Sequence, residues 1–466
     1  MFKNFFWAFI EKGGQFSLQF LSVIILSRFL SPEEYGIYGI MAIFISVSEL
    51  LIDSGFGGAL VQKKEISKLD INTLFTSNLC ISLFLYLILF FAAPIIANYY
   101  DIPELRQYLR VLGITIIFYS LTIVHQTLLQ REMKLKKSAN ITLIASIISV
   151  MSAIIAAHLG LGVWSLIIQP LAMAMALSGI LWSSERRDIR FSFSLSSFKD
   201  LWNFGSKLLA ANILQNIYGN ISTSIMPKIT NVTTSGYYFQ ASRINSVPIS
   251  IIQMTIDKAA FPILSKERSC MKVLLEARKL NIAIVTLSAP IIPILSLFSY
   301  EFVDVVLGEQ WLKSAPFLEI LAWGGWGILI QTLYRNIYKS IGNTKIILKI
   351  DIIKPIIGLT VLALSVFCGV TFMVWGITIG MYVGAILYAN CLKRDLAYSL
   401  VQQLKDLSVP IFASLVSYLS VYFICDCIDY HWYNIFLAIM FLFEYVVLNL
   451  LLHNTFLFQL IRKSSL

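Results

Sequence analysis

Five cations fall inside or at the edges of long apolar runs: Lys12, Arg28, Lys207, Lys228 and Arg243. A charge at the bilayer centre costs at least about 2.5–3.5 kcal/mol on insertion scales, so each must line a wet cavity, pair with an acid or snorkel to a headgroup. In a wet cavity, Arg and Lys hold an anionic group by charge-assisted hydrogen bonds. Arg243 sits about two turns into its run, which leaves an anion or an acid such as Asp53 or Asp257 to compensate it. Asn212, Gln215, Asn216 and Asn220 recur every three or four residues, with Tyr218 and Gly219 beside them, and Gln15 and Gln19 are one turn apart. That spacing puts each set on one helix face, where amides bond either a polar solute or a neighbouring helix.

Asp53 and Asp257 suit a coupling H+ or Na+, and equally a helix cap or a latch through Lys258 or a loop cation. Asp53 leads into Ser-Gly-Phe-Gly-Gly, a run that breaks a helix and could serve as a hinge. Glu319 and Glu444 are further acids within apolar runs. His125, His158, His431 and His453 are dispersed, so the reading contains no catalytic cluster, no metal site and no bound cofactor beyond a coupling ion. Six cysteines are scattered; Cys425 and Cys427 form a CxC too tight for a normal bridge and without zinc-site spacing, and all six read as small apolar residues.

The elements that must position these residues follow from composition. Of 466 residues, 58% are hydrophobic and 13% charged, against about 45–50% and about 25% in a soluble domain. A cytosolic enzyme, a secreted disulfide scaffold and a disordered chain are excluded. Apolar stretches near the length of about 20 residues needed to cross hydrocarbon recur over 5–30, 32–56, 71–98, 105–128, 139–158, 162–183, 200–226, 237–264, 276–300, 314–340, 345–368, 370–392, 408–428 and 431–460. The expected fold is an all-α polytopic membrane protein with about fourteen transmembrane helices, since the runs lack the alternation of strands. The first run is interrupted by Glu11 and Lys12 and meets no small-residue cleavage site, so it reads as a helix and not a leader. Ser31-Pro32-Glu33-Glu34 then reads as a fresh helix start.

The net charge of +10 is a topology signal and not a nucleic-acid footprint. Of the 36 cations, only Arg28, Arg106, Arg110, Lys228, Arg243, Lys258 and Lys313 stand clearly within a span or on the acidic side. The remainder crowd one set of loops and both tails, which places both termini in the cytoplasm.

The chain also resembles itself. Trp7 to Lys12 answers Trp202 to Lys207, Gly36-Ile37-Tyr38 answers Gly236-Tyr237-Tyr238, Gln126-Thr127-Leu128 answers Gln331-Thr332-Leu333, and Val163-Trp164 answers Val374-Trp375. The offset drifts slowly from 195 to 211. Two six-helix halves follow, residues 1–195 and 196–400, with two extra helices in 401–466. Six is even, so the halves are parallel about an axis along the membrane normal, with a site expected between them. Lys12 with Lys207, and Arg28 with Lys228, become repeat-related pairs at the two mouths.

Ser27-Arg28-Phe29-Leu30-Ser31-Pro32-Glu33-Glu34-Tyr35-Gly36 carries a resemblance, supported by Asp53-Ser54-Gly55-Phe56-Gly57, Val61-Gln62-Lys63-Lys64, Gly162-Val163-Trp164 and Phe261-Pro262-Ile263-Leu264-Ser265-Lys266. From the N-terminus through the twelfth span the chain resembles the polysaccharide-exporter branch of the MOP superfamily, the Wzx-type flippases of O-antigen and capsule units. The resemblance implies a bacterial inner-membrane protein that moves an undecaprenyl-pyrophosphate-linked oligosaccharide from the cytoplasmic to the periplasmic leaflet. Its partners would be that lipid-linked sugar, membrane lipids and other polysaccharide-assembly proteins. The substrate-binding set is then Lys12, Arg28, Lys207, Asn212, Gln215, Asn216, Asn220, Lys228 and Arg243, with cations on the pyrophosphate and amides on sugar hydroxyls. Two alternatives stand beside it: a drug exporter of the same superfamily, which predicts an aromatic and acidic cleft, and a polymerase or ligase, which needs a large loop or a cluster of acids, bases or nucleophiles.

Overall fold

The computed structural model describes residues 2–53, 56–63, 65–185, 187–265, 270–427 and 434–452. Ser54, Gly55, Lys64, Lys266, His431 and His453 lie outside those residues, as do the side chains of Lys207, Phe261, Cys270, Cys425 and Cys427. All regular structure among the described residues is helical, as the composition and the unalternating runs predict.

The chain divides into two compact units, Met1–Phe239 and Gln240–Leu466. The first holds α1 (Phe2–Ser27), α2 (Pro32–Asp53), α3 (Phe56–Gln62), α4 (Lys68–Tyr100), α5 (Leu105–Leu112), α6 (Ile114–Arg131), α7 (Leu135–His158), α8 (Val163–Ser184) and α9 (Leu195–Ile229). The turn from α1 to α2 is the expected one. Ser31 N–H donates to Glu34 Oε2 (2.6 Å) and Glu34 N–H donates to Ser31 Oγ (3.4 Å), a capping box in front of Pro32. A second box, Ser67 with Asp70, starts α4, and Lys63 Nζ lies 2.9 Å from that aspartate. Of the run expected to break the helix after Asp53, Ser54 and Gly55 lie outside the described residues, and Phe56, Gly57 and Gly58 are helical, forming the start of α3. The core gathers Ile40, Met41 and Ile45 of α2 with Leu89 and Ala93 of α4, Leu109 of α5 and Ile116 of α6.

α10 (Val232–Ser265) begins in the first unit and continues into the second. There follow α11 (Cys270–Ser288), α12 (Ile291–Leu297), α13 (Ser299–Val306), a 3-10 turn, α14 (Ala315–Ala322), α15 (Gly325–Ile341), α16 (Thr344–Val366), α17 (Val370–Leu396), α18 (Leu400–Cys427) and α19 (Asn434–Leu451). Its core joins Leu329, Leu333 and Ile337, one face of α15 at four-residue spacing, with Tyr388 and Leu392 of α17 and Phe441 of α19.

Among the described residues nine helical segments are long and apolar enough to cross a bilayer. The other expected spans are helical too, over α1, α9, α15, α16 and α19. α9 carries the run of amides, and α16 carries Lys345, Lys349, Asp351 and Lys354, which lowers the hydropathy without breaking the helix. Three expected spans are divided: one at Gly113, a poor helix former, between α5 and α6, one at Pro290, which has no N–H to donate, between α11 and α12, and one at Trp323 and Gly324 between α14 and α15.

Candidate functional site

Within the first unit, α1, α2, α6, α7 and α8 enclose a cavity of about 610 Å³. α6 gives it a polar stripe of Thr115, Tyr119, Thr122, Gln126 and Gln130, whose three- and four-residue spacing keeps them on one side of the helix. α1 adds Glu11, Lys12 and Gln15, and α2 adds Glu49. Ser138 and Thr142 come from α7 and Met173 from α8. Ser138 Oγ donates to Glu11 Oε1 (3.4 Å). Gln15, Glu49, Gln126 and Gln130 accept and donate no side-chain hydrogen bond among the described residues. Their polar atoms face the cavity and have capacity left for a ligand or water. Asp53 stands one turn beyond Glu49 on α2, its Oδ1 beside Gly57 of α3 and close to the region of Thr127 on α6.

The other end of α2 is built in the opposite way. A methyl added to Gly36 would lie 2.0 Å from the carbonyl oxygen of Val232, and one added to Gly236 would lie 1.7 Å from that of Pro32. Gly36 and Gly236 are 200 residues apart, and so are Pro32 and Val232. The starts of α2 and α10 therefore cross about a local two-fold at a point where only glycine fits. Around the crossing, Tyr38 packs edge-on against Phe239 (6.0 Å between rings), Tyr100 OH donates to Ser224 O (2.9 Å), and Lys228 Nζ pairs with Asp101 Oδ2 (2.8 Å) over the Tyr99 ring.

The remaining sequence candidates are distributed as follows. Lys12 lines the cavity; Arg28 is exposed at the end of α1. Lys228 is the ion pair just described. In α9, Asn216 Oδ1 accepts from Ser46 Oγ of α2 (3.0 Å), which ties the two helices together, and Asn220 Nδ2 donates back to the Asn216 carbonyl (3.0 Å) within α9. Asn212 and Gln215 are half-buried on the same helix. Arg243 is half-buried on α10 of the second unit. Asp257 there accepts from Asn336 Nδ2 (2.7 Å) and lies 3.5 Å from Lys339 Nζ, both on α15, so it joins two helices of the second unit. Glu444 accepts from Ser420 Oγ. Glu11, Glu49, Tyr119, Gln126 and Gln130 were not among the sequence candidates, although the stripe on α6 carried the spacing that marks a polar face. Among the described residues no three His, Cys, Asp or Glu side chains gather as metal ligands.

An assembly of long apolar helices, strand-free among the described residues and with a polar cavity inside one bundle, defines a multi-pass membrane protein. The chain belongs to the family described as polysaccharide biosynthesis protein, whose profile matches residues 25–316. It is 27% identical over 321 residues to the succinoglycan biosynthesis transport protein ExoT of Rhizobium meliloti (strain 1021), covering 69% of this chain and 65% of that protein. It is 24% identical over 278 residues to the teichuronic acid biosynthesis protein TuaB of Bacillus subtilis (strain 168), covering 59% of this chain and 58% of TuaB. With the lipopolysaccharide biosynthesis protein WzxC of Escherichia coli (strain K12) it shares 24% identity over 350 residues, 72% of this chain and 68% of WzxC. The matched region thus spans 65% and 58% of the length of the first two relatives. The fold is similar to that of the lipid II flippase MurJ in an inward closed conformation, with a TM-score of 0.80 and 15% identity over 97% of this chain and 100% of that one. It is also similar to an inward-facing multidrug resistance MATE family transporter of the MOP superfamily, with a TM-score of 0.66 and 18% identity over 82% of this chain and 94% of that one. The chain shares the fold of both.

Proposed function

We propose that the chain moves an undecaprenyl-pyrophosphate-linked oligosaccharide from the cytoplasmic to the periplasmic leaflet of a bacterial inner membrane, both of its own termini being cytoplasmic. It acts as a transporter and not as a polymerase or ligase. The halves 1–195 and 196–400 rock about the axis between them, exposing polar surface to one side and then the other, while 401–466 is an appendage.

The observation that carries this reading is the contrast along α2. At its start, repeat-equivalent residues cross at a glycine pair and leave no room for a methyl; toward its other end, Glu49 faces a polar cavity. One closed end and one polar end is what an alternating carrier presents in a single state. The excess of basic loops assigns the polar end to the cytoplasm. Lys228 with Asp101 then belongs to the periplasmic closure, and the pair must part for release. Arg243, Arg28 and Lys207 are the proposed contacts to the pyrophosphate, Lys12 being set in the cavity beside the carboxylates of Glu11 and Glu49, and Asn212, Gln215 and Asn220, which make no bond to another helix among the described residues, are proposed to face the glycan. Of the two coupling candidates, Asp53 suits H+ or Na+ better, since Lys339 and Asn336 already hold Asp257.

A strain lacking the chain tests this. It loses long-chain surface glycan and accumulates the lipid-linked unit in the cytoplasmic leaflet; an Arg243→Ala copy, present at normal level, fails to restore export. Normal glycan together with new drug sensitivity would instead make the chain a small-molecule exporter, the reading that its two cavity carboxylates favour.

A further inference from the structure

We propose that the cavity of the first unit is a saccharide subsite that accepts a neutral or amino sugar and discriminates against an acidic one. The inference rests on the transport reading above and adds to it where a sugar ring is held and what charge that ring can carry. At about 610 Å³ the cavity lies within the range of about 300–1,000 Å³ typical of small-molecule sites, far larger than a single bare ion requires. Its lining is dominated by neutral hydrogen-bonding groups: the amides of Gln15, Gln126 and Gln130 and the hydroxyls of Tyr119, Thr122 and Thr142.

Those groups set the ligand's chemistry. Each glutamine offers a carbonyl acceptor and two amide donors in one plane, which matches the alternating donors and acceptors of vicinal hydroxyls. None of the three glutamines is used by another described side chain. An apolar occupant would strip water from them and leave them unsatisfied, a cost of about 1–3 kcal/mol for each group. A polyhydroxylated ring satisfies them. The charge balance then selects among rings: among the described lining residues, Glu11 and Glu49 face the space against one cation, Lys12. Carboxylates can accept from sugar hydroxyls or from a sugar ammonium, but they repel a uronate, the kind of like-charge contact that excludes a competing ligand.

The test uses the purified full chain in phospholipid nanodiscs and saturation-transfer difference NMR with three soluble probes: methyl β-glucopyranoside, glucosamine and glucuronate. Saturation transfer to the first two is expected, with glucuronate at least about tenfold weaker, the effect of one misplaced charge-assisted contact. Gln126→Met with Gln130→Met, which preserves side-chain length and so the fold, removes the transfer. Glu49→Gln brings glucuronate up toward the neutral probe. Glucuronate bound as well as the glucoside, or transfer unchanged in the double variant, would overturn the proposal. So would the absence of saccharide binding with a Na+-dependent unfolding midpoint lost in Glu49→Gln, which would make the cavity a cation site. Soluble probes need neither lipid carrier nor transport. Binding without leaflet transfer therefore counts against the transport reading alone, and export with no binding here counts against the subsite alone.

Discussion

Acids are handled in opposite ways at two places, the Asp406 cluster of the second unit and the cavity of the first. In the second unit, Asp406 is held by both nitrogens of an Arg278 fork at 2.8 Å and accepts from Tyr398 OH at 2.6 Å; Asp351 is 2.8 Å from Arg335 Nη2, and Asp395 accepts from Tyr338 OH and from Arg394. In the first unit, Glu49 reaches into a cavity beside three unpartnered glutamines. A carboxylate whose lone pairs are filled by arginine and tyrosine fixes helices against one another. One left open is available to something that arrives and departs. The Asp406 cluster commits its charge to rigidity, whereas Glu49 is held open.

The largest expected consequence lies with the saturated group. Asp406→Ala leaves the Arg278 guanidinium facing a half-buried space without its partner, and should cost about 3 kcal/mol, at the low end for a broken buried pair because Arg278 is partly exposed. The checks are the unfolding midpoint and the yield of folded protein; an unchanged midpoint would erase the contrast between the two places. Next comes Lys228→Asp, which turns an attraction at the proposed periplasmic closure into a repulsion. Lys228 and Asp101 are both partly or largely exposed, so the stability change should stay near about 1 kcal/mol or less, yet glycan export should fall several-fold. Combining it with Asp101→Lys should restore export, which a purely local surface effect would not do.

Glu49→Gln should alter stability by no more than about 0.5 kcal/mol, since no described protein group loses a bond, while changing ligand selection. A loss as large as that of Asp406→Ala would place Glu49 among the structural acids. The smallest effect concerns the loop cluster of the first unit, where Arg187 is 2.6 Å from Glu132 and 2.9 Å from Glu185, and Lys137 is 2.6 Å from Glu185. The Arg187 guanidinium, with Lys134 assisting, holds the Glu132 carboxyl down at about 2. A depressed carboxylate contributes its stability above its ordinary value of about 4.5 and loses it as pH falls toward about 2. Glu132 is more than a third exposed, so solvent screens most of the effect. A slight fall of the unfolding midpoint between pH 4.5 and 2, absent in Glu132→Gln, is the expected trace.

The sequence showed the helices more plainly than the site. Long apolar runs and the Ser31–Glu34 cap are local signals, and the structure has helix or a helix start at each, whereas Phe56, Gly57 and Gly58 of the run expected to break a helix are themselves helical. The repeat also predicted which residues would be equivalent, and the Gly36 and Gly236 crossing joins two such positions. What a linear reading could not supply is which polar face finds another helix and which finds open space. Asn216 shares a face with Asn212 and Asn220, but only its contact with Ser46 of α2 shows that it acts between helices. Lys228 meets an acid 127 residues away, a distance over which spacing carries no information. The α6 stripe from Thr115 to Gln130 was visible as a pattern; its significance came from Glu11 and Glu49, which α1 and α2 bring to it.

The alternation of the two ends of α2 is tested most directly by a reversible lock. In a cysteine-free chain, Tyr38→Cys and Phe239→Cys place thiols where the two rings now meet at 6.0 Å, within reach of a short bis-methanethiosulfonate linker. Cross-linked protein in proteoliposomes should stop transferring lipid-linked saccharide between leaflets and should recover on reduction. Full transfer by quantitatively cross-linked protein would contradict the account.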